Sequence, residues 1–441
     1  MNQELPAEVK NYLRKFGFTK WSIETSTNKL FNTIVVIPAI EESKNIPKLL
    51  ASLSENNSDS FAEILFVIVI NNLESSSVDV KTDNQKLLSY LRKVIVFNDV
   101  DELAKKVVSK KMNLAVVDAC SSGAEMPEKD GGVGYARKIG MDLALSFFDY
   151  NSTKSKILVC LDSDCLVSKN YTLALNEINE KKYPAGYIEY EHLLPEDNKE
   201  KTAIIIYEIF LRYYVLGLKY ASSPFAFDTI GSTMFCDVDS YIKIGGMNKK
   251  KAAEDFYFME KLAKINNMRK VSTAKVFPSP RRSWRVPFGT GQRINRFFDG
   301  THDEYSLYNP VSFEILRRWH EVFFDDQILS VNEYLTSAEK IDSALKVFLT
   351  GQSFAEAWEK ILNETTKKEQ LQKQKHFWFD GFRTLKLIHY LRDSKYPAIN
   401  IFDALNQIFA MCAFKVDNEK SAAEWQIQFE YLKMLRTINN S

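Results

Sequence analysis

One apolar run that ends abruptly at two carboxylates constrains the fold more than any other feature of this chain. Residues 156–161 (KILVCL) have the pattern of a buried β-strand, and Asp162 and Asp164 follow directly. Residues two apart in an extended chain point to the same side, so both acids can offer oxygens to one ion or ligand. Ligands of open α/β sheets lie beyond the carboxyl ends of the strands. The run therefore predicts a sheet strand that ends at a binding site.

The chemistry of Asp162 and Asp164 indicates a divalent cation. Hard carboxylate oxygens suit Mg²⁺ or Mn²⁺, which bridge to the phosphate oxygens of a nucleotide. Asp-x-Asp also occurs at residues 99–101 and 237–239, but only the pair at 162 and 164 follows a clean apolar strand. We therefore expect the metal at Asp162 and Asp164, with a solvated acidic turn as the alternative.

Further strand patterns alternate with helical patterns. Short apolar runs occupy residues 33–38, 63–70 and 113–118, and the first is followed by Glu41, Glu42 and a helical spacing of apolar residues. Such alternation predicts an α/β fold class with a mostly parallel, helix-covered sheet.

A glycine-rich segment, residues 131–138, leads into another helical pattern. Its glycines permit close backbone approach to a ligand, and the guanidinium fork of Arg137 suits a diphosphate. The segment matches a dinucleotide-binding loop poorly, because Arg137 stands where G-x-G-x-x-G needs its third glycine and a charged loop precedes it. A flexible helix entry is the alternative.

Composition bounds the class of protein. The chain has 441 residues, of which 45% are hydrophobic, and 58 basic against 57 acidic residues give a formal charge of +1. That balance favours neither nucleic acid nor an anionic membrane as partner. The five cysteines include no C-x-x-C pair, so we expect neither disulfides nor a zinc knuckle.

We expect no transmembrane segment. The longest apolar stretch, about residues 202–221, is interrupted by Glu208, Arg212 and Lys219. The N-terminus shows no basic segment followed by an apolar core, so we also expect no secretory signal and a cytoplasmic location.

Two adjacent acids, Glu254 and Asp255, open a later helical pattern, after glycine-containing segments at 231–235 and 245–247. Acids at a helix start are favoured by the helix dipole, which gives this pair an ordinary structural explanation. Their order relative to the strand-end acids indicates more.

Taken in order, these motifs resemble those of inverting glycosyltransferases of family 2, which have the GT-A fold. The resemblance covers about residues 30–300. It rests on Val35-Val36-Ile37-Pro38-Ala39 with Glu41-Glu42, Gly134-x-Ala136-Arg137, Leu161-Asp162-Ser163-Asp164, Gly231-Ser232, Gly245-Gly246 and Glu254-Asp255. It implies a GT-A type nucleotide-diphospho-sugar transferase sheet covered by helices.

The resemblance also implies catalytic and metal-binding roles. Asp162 and Asp164 would hold the metal and the donor diphosphate, and Arg137 would lie near the nucleotide or donor sugar. Asp255, with Glu254 beside it, would be the general base that takes the proton of an acceptor hydroxyl, so that the sugar is transferred with inversion.

The nucleoside pocket would be bordered by Pro38 and Glu41. The family usually has a pair of acids after the second strand, one of which touches the base, where this chain has Asn71-Asn72. With Asn71 in that place, UDP and GDP both stay open.

An arginine-rich segment, residues 279–291, predicts an anionic ligand, which could be the donor diphosphate or the acceptor. We expect Arg285 to bind it through its guanidinium fork, with a solvated basic turn as the alternative. The family's Q-x-x-R-W motif, common in processive polysaccharide synthases, is absent. Together with the lack of a membrane span, this disfavours a membrane polymer synthase.

From about residue 310 the patterns are helical, at 311–324, 331–349, 354–371, 377–391 and 404–438. We predict a catalytic domain over residues 1–300 and an α-helical domain over residues 301–441. The helical domain either shapes the acceptor pocket or forms a homo-oligomer.

These expectations add up to a soluble, metal-dependent glycosyltransferase of the hexosyltransferase (EC 2.4) class, with Mn²⁺ or Mg²⁺ and a UDP- or GDP-linked donor. One alternative is a retaining GT-A enzyme with a small anionic acceptor, which a histidine in the metal shell would favour; His192 and His302 lie nearest in sequence. A nucleotidyltransferase should have a glycine-rich loop after its first strand, where Pro38 and Glu41 stand instead. A non-catalytic nucleotide-binding relative is the third alternative.

Overall fold

The computed structural model describes residues 3–98, 101–282, 289–365, 367–414 and 425–438. It divides the chain into two compact units. The first consists of Met1–Leu193 and Thr229–Gly289, and the second of Leu194–Asp228 and Thr290–Ser441. The first unit contains a large sheet, and the second is almost entirely helical.

The described part of the first unit contains a nine-stranded sheet. In chain order its strands are β1 (Ile23–Glu24), β2 (Thr33–Ala39), β3 (Ile64–Asn71), β4 (Asn113–Ala119), β5 (Ile157–Cys160), β6 (Leu166–Val167), β7 (Ala185–Tyr190), β8 (Met234–Asp237) and β9 (Arg269–Phe277). Across the sheet the order is β1-β4-β3-β2-β5-β8-β7-β9-β6.

The helices, again in chain order, lie on both sides of the unit division. They are α1 (Ala7–Phe16), α2 (Ile46–Ser54), α3 (Val78–Val96), α4 (Glu102–Ser109), α5 (Val133–Ala144), α6 (Tyr171–Glu180), α7 (Asn198–Tyr220), α8 (Val238–Lys243), α9 (Glu254–Ala263), α10 (Thr290–Asp299), α11 (Val311–Phe323), α12 (Val331–Ile341), α13 (Ser343–Gly351), α14 (Phe354–Glu364), α15 (Lys368–Trp378), α16 (Gly381–Ser394), α17 (Ile401–Met411) and α18 (Trp425–Ile438). Short 3₁₀ turns occupy Ser58–Phe61 and Leu145–Phe147.

The four strands that the sequence predicts, β2 to β5, form one parallel block in the order β4-β3-β2-β5. The predicted α/β fold class with a helix-covered sheet is confirmed. The expectation of a mostly parallel sheet holds only for this block and for β7 beside β9, because β8 runs antiparallel to both β5 and β7. Much of the chain between β7 and β8 belongs to the second unit, so no crossover helix on the sheet requires those two strands to be parallel.

The sheet is buried on both faces, which explains its long apolar runs. Every residue of β2 and β3 is buried, as expected for central strands of a parallel block. Val35 and Ile37 belong to a core with apolar residues of α2, α3, α4 and α6. Val36 faces the other way, toward α5, where Gly140 leaves room for it. The sheet is therefore a rigid base for the residues that follow its strands.

The second unit is built from α7 and from α10 to α18, with a short antiparallel pair of strands, β10 (Ser306–Leu307) and β11 (Ile399–Asn400). Its core is rich in aromatic rings, and Trp319, Phe323, Phe354 and Trp358 pack with ring centroids 5.0–6.1 Å apart. The predicted helical C-terminal region is confirmed. In the described residues, no helix is both long and apolar enough to cross a membrane.

The segment Leu194–Asp228 joins the helical unit although it lies in the middle of the chain. Glu208 of α7 is buried and forms an ion pair with Arg436 of α18, 228 residues later. Apolar residues of α7 such as Ile209 and Leu216 belong to the same core as the C-terminal helices.

Candidate active site

The carboxyl ends of β2, β3 and β5 bring three loops of the first unit together. The strands are parallel neighbours, so the residues that follow each of them lie at the same edge of the sheet. Glu41 and Glu42 follow β2, Asn71 ends β3, and Asp162 and Asp164 follow β5. This is the edge at which the sequence predicts a binding site.

Arg137, on α5, bridges two of the predicted acids. Its Nη2 donates to Oδ1 of Asp162 at 2.5 Å, and its Nη1 donates to Oε1 of Glu254. The side chain of Arg137 is only 2% exposed and that of Glu254 only 7%. A charge removed from water in this way requires a partner, and here two carboxylates supply it. Arg137 therefore fixes the start of α9 against the end of β5.

Two glycines of the sequence motifs make this bridge sterically possible. A Cβ on Gly231 would lie 2.6 Å from Nη2 of Arg137. A Cβ on Gly134 would lie 2.6 Å from the backbone oxygen of Lys250 and 2.9 Å from Cβ of Glu254. In the structure these glycines allow the guanidinium and helix α5 to approach their neighbours closely.

Asp255 lies in the first turn of α9, after Ala253 in the left-handed backbone region (φ 56°). Its Oδ1 accepts a hydrogen bond from the backbone N–H of Phe256 at 2.7 Å. Burial, followed by the charge of Glu254, raises the pKa of Asp255 to about 7, against the opposing effects of Arg137 and of that N–H. A carboxyl group with a pKa near neutrality suits general-base catalysis at neutral pH.

Asp164 is held by an arginine that the sequence analysis placed in the basic segment without giving it a role. Nε of Arg281 lies 2.7 Å from Oδ2 of Asp164. Nη2 of the same guanidinium donates to Oε1 of Glu42, whose Oε2 accepts from Nδ2 of Asn45 at 2.7 Å. Glu42 is 2% exposed, whereas the Arg281 side chain is 32% exposed. Both members of the Asp162/Asp164 pair are thus held by arginines.

The ion pairs form a line of alternating charge along the edge of the sheet, in the order Glu254, Arg137, Asp162, Asp164, Arg281, Glu42. With Asp255 included, five carboxyl groups face two guanidinium groups, a formal charge of −3, or −2 when Asp255 is protonated. A divalent cation would offset most of this excess.

The residues fit Mg²⁺ or Mn²⁺ bound in the manner typical of nucleotide enzymes. Within the described part of the chain, no three His, Cys, Asp or Glu side chains converge into a cage made of protein ligands alone. Such cations are commonly held by one or two carboxylates, with phosphate oxygens and water completing the shell. Asp162 and Asp164, with side chains 33% and 22% exposed, are accessible enough to act in this way.

A buried amide, missed by the sequence analysis, connects the loops after β2 and β3. Asn84 of α3 is fully buried. Its Oδ1 accepts from the backbone N–H of Glu41 at 2.9 Å, and its Nδ2 donates to the carbonyl of Asn71 and to Oδ1 of Asn72 at 3.0 and 2.9 Å. Glu41 is exposed and has a left-handed backbone (φ 56°), which Asn84 helps to hold. The polar residues 71 and 72 gave the only sequence clue to this network.

The remaining predicted residues lie at or beyond this edge. Pro38 is buried within β2. Nδ2 of Asn71 donates to the carbonyls of Ala39 and Val69 at 3.0 and 3.2 Å, so its amide group joins the ends of β2 and β3. Arg285 lies outside the described residues.

Comparison with known proteins gives the following picture. No family model matches the chain, and no curated protein matches it. Among solved structures it is similar to TarS from S. aureus, with 14% identity and a TM-score of 0.36 over 74% of this chain and 53% of that one. The match thus spans about half of the length of that protein.

Two further structures cover more of the chain. TarS 1–349 from S. aureus in complex with UDP-GlcNAc is 14% identical over 89% of this chain and 98% of that one, with a TM-score of 0.37. The mannosyltransferase PcManGT from Pyrobaculum calidifontis in complex with GDP-Man and Mn²⁺ is 13% identical over 98% of this chain and 92% of that one, with a TM-score of 0.34.

Proposed function

We propose that the chain is a glycosyltransferase of the EC 2.4 class that moves a sugar from a nucleotide-diphosphate sugar to an acceptor hydroxyl. The observation that carries this proposal is the line of ion pairs at the carboxyl ends of β2 and β5, with Asp255 beside it. It combines an acidic cation site, two guanidinium groups suited to phosphate, and a carboxyl group that titrates near neutrality.

Asp162 and Asp164 would hold Mg²⁺ or Mn²⁺ together with the donor diphosphate. The cation supplies charge compensation for the leaving nucleoside diphosphate. Arg137 has a separate role in this proposal, because both of its contacts are to acids of the protein. It keeps Asp162 and the start of α9 in a fixed relation, so that the leaving-group side and the attacking side of the reaction stay aligned.

Asp255 would act as the general base. Its carboxylate takes the proton of the acceptor hydroxyl while the hydroxyl oxygen forms a bond to the anomeric carbon. The bond from that carbon to the diphosphate oxygen breaks, and its electron pair leaves with the nucleoside diphosphate. Attack opposite the leaving group inverts the anomeric centre without a covalent enzyme intermediate. Glu254 supports this role because its charge keeps the pKa of Asp255 high.

The nucleoside would lie against the ends of β2 and β3, bordered by Pro38, Glu41 and Asn71. Asn84 fixes the loops there before any ligand binds, which limits the entropy lost on binding. Arg285 would bind the anionic group of the donor or acceptor. UDP-GlcNAc and GDP-Man, the ligands of the TarS and PcManGT structures, are the first donors to test.

Donor turnover tests the proposal. The parent protein should hydrolyse or transfer the sugar of one of these donors in the presence of Mn²⁺, and Asp255→Asn should abolish turnover while still binding the nucleotide. Asp239→Asn is a matched control, since Asp239 belongs to another Asp-x-Asp and is exposed on α8. A protein that binds nucleotide but turns over no donor, or an Asp255→Asn variant with parental turnover, would support a non-catalytic relative instead.

A further inference from the structure

The two arginines of the site differ in how firmly they are held. Arg137 is 2% exposed, lies on a helix, and packs against Gly231. Arg281 is 32% exposed and lies four residues beyond the end of β9, outside any helix or strand. One of its partners, Glu42, is buried, but the other, Asp164, is a partly exposed predicted metal ligand. Arg281 is therefore the arginine that can change partners at small structural cost.

Arg281 also occupies an oxygen that a cation needs. Its Nε lies 2.7 Å from Oδ2 of Asp164. A guanidinium and a divalent cation repel each other strongly at contact distance, so full engagement of the same oxygen by both is unfavourable. When a cation binds Asp164, Arg281 has to give up this contact. The diphosphate that arrives with the donor then offers the guanidinium oxygens within a short distance, in a geometry that suits its fork.

We propose, on the basis of the function proposed above, that Arg281 exchanges Asp164 for the donor diphosphate. Without donor, Arg281 neutralises Asp164 and Glu42 and competes with the divalent cation. With cation and donor bound, it keeps its contact to Glu42 and turns its remaining N–H groups to the diphosphate. Arg281 is thus a donor-binding residue that also couples cation binding to nucleotide binding.

The coupling predicts two effects of opposite sign in one variant. Without nucleotide, Arg281→Gln should bind Mn²⁺ about tenfold more tightly than the parent, as followed by the electron paramagnetic resonance signal of free Mn²⁺. In the presence of saturating Mn²⁺, the same variant should bind UDP or GDP about tenfold more weakly. Arg281→Lys keeps the charge, so its Mn²⁺ affinity should stay close to that of the parent, while its nucleotide affinity should fall.

A matched control is Arg269→Gln, on an exposed arginine at the start of β9, which should change neither affinity. An Arg281 that only stabilises the fold would give weaker binding of both ligands when replaced. Unchanged or weaker Mn²⁺ binding by Arg281→Gln would overturn the inference. If the parent binds neither nucleotide under any condition, the proposed function itself fails; if it binds one and Arg281→Gln shows no opposed shifts, only the role of Arg281 fails.

Discussion

Arg137 and Glu254 form a buried ion pair across 117 residues of sequence. The pair connects helix α5 to the first turn of α9, and the second half of the same guanidinium holds Asp162 at the end of β5. One side chain thus sets the distance between the predicted cation site and the predicted base. In physical terms, the site is built around Arg137.

Replacing Arg137 by Met should destabilise the protein strongly, because it leaves the buried Glu254 without its cation. We expect a loss of about 3–5 kcal/mol in the free energy of unfolding, measured by urea denaturation. Arg92→Met is the control, since Arg92 pairs with Glu24 at the surface and its loss should cost at most about 1 kcal/mol. Equal effects of the two substitutions would contradict the central position of Arg137.

The pKa of Asp255, about 7, predicts the pH dependence of catalysis. A general base acts only when deprotonated, so kcat/KM should rise with pH and level off above a midpoint near 7. Glu254→Gln removes the repulsion that raises the pKa of Asp255 and should shift this midpoint to lower pH. A profile that stays flat between pH 5 and 9 would count against Asp255 as the base.

Gly134 should tolerate no larger residue. A Cβ there would lie 2.6 Å from the backbone oxygen of Lys250, so Gly134→Ala should displace the turn that leads to Glu254. We expect a loss of roughly 1–3 kcal/mol of stability together with lower kcat. Gly351→Ala is the control, because nothing lies within 4 Å of its added Cβ and alanine favours the helix. Thermal unfolding of both variants would show whether close packing explains Gly134.

Asn84→Ala should loosen the nucleoside side of the site. It removes three hydrogen bonds and leaves the N–H of Glu41 and the carbonyl of Asn71 without this partner. We expect a cost of about 1–3 kcal/mol in stability and weaker nucleotide binding, with turnover of bound donor much less affected. Gln85→Ala, on the adjacent residue, which is partly exposed, should leave nucleotide affinity unchanged. An Asn84→Ala variant with parental affinity would exclude a positioning role.

The sequence was informative wherever one local pattern decided the structure. The strands β2 to β5 could be predicted within one or two residues because their apolar runs are buried on both faces. The same patterns predicted that residues following β2, β3 and β5 would meet at one edge. The direction of β8 could not be predicted, since a strand of four residues carries no directional pattern.

Contacts between distant parts of the chain could not be predicted in the same way. Arg281 and Glu42 are 239 residues apart, and nothing in either local sequence specifies the other as its partner. Asn84 lies on a helix whose sequence pattern gives no reason for a buried amide. The pairing of Glu208 with Arg436 likewise depends on how α7 packs with α18.

The central claim is that the strand-end acids bind a nucleotide diphosphate through a divalent cation. Calorimetric titration of UDP and GDP, with and without Mn²⁺, on the parent protein and on Asp164→Asn tests it most directly. We predict that one nucleotide binds the parent in the presence of Mn²⁺, and that binding is much weaker without Mn²⁺ and in Asp164→Asn. Absence of binding by both nucleotides, or equal binding by the parent and Asp164→Asn, would contradict the claim.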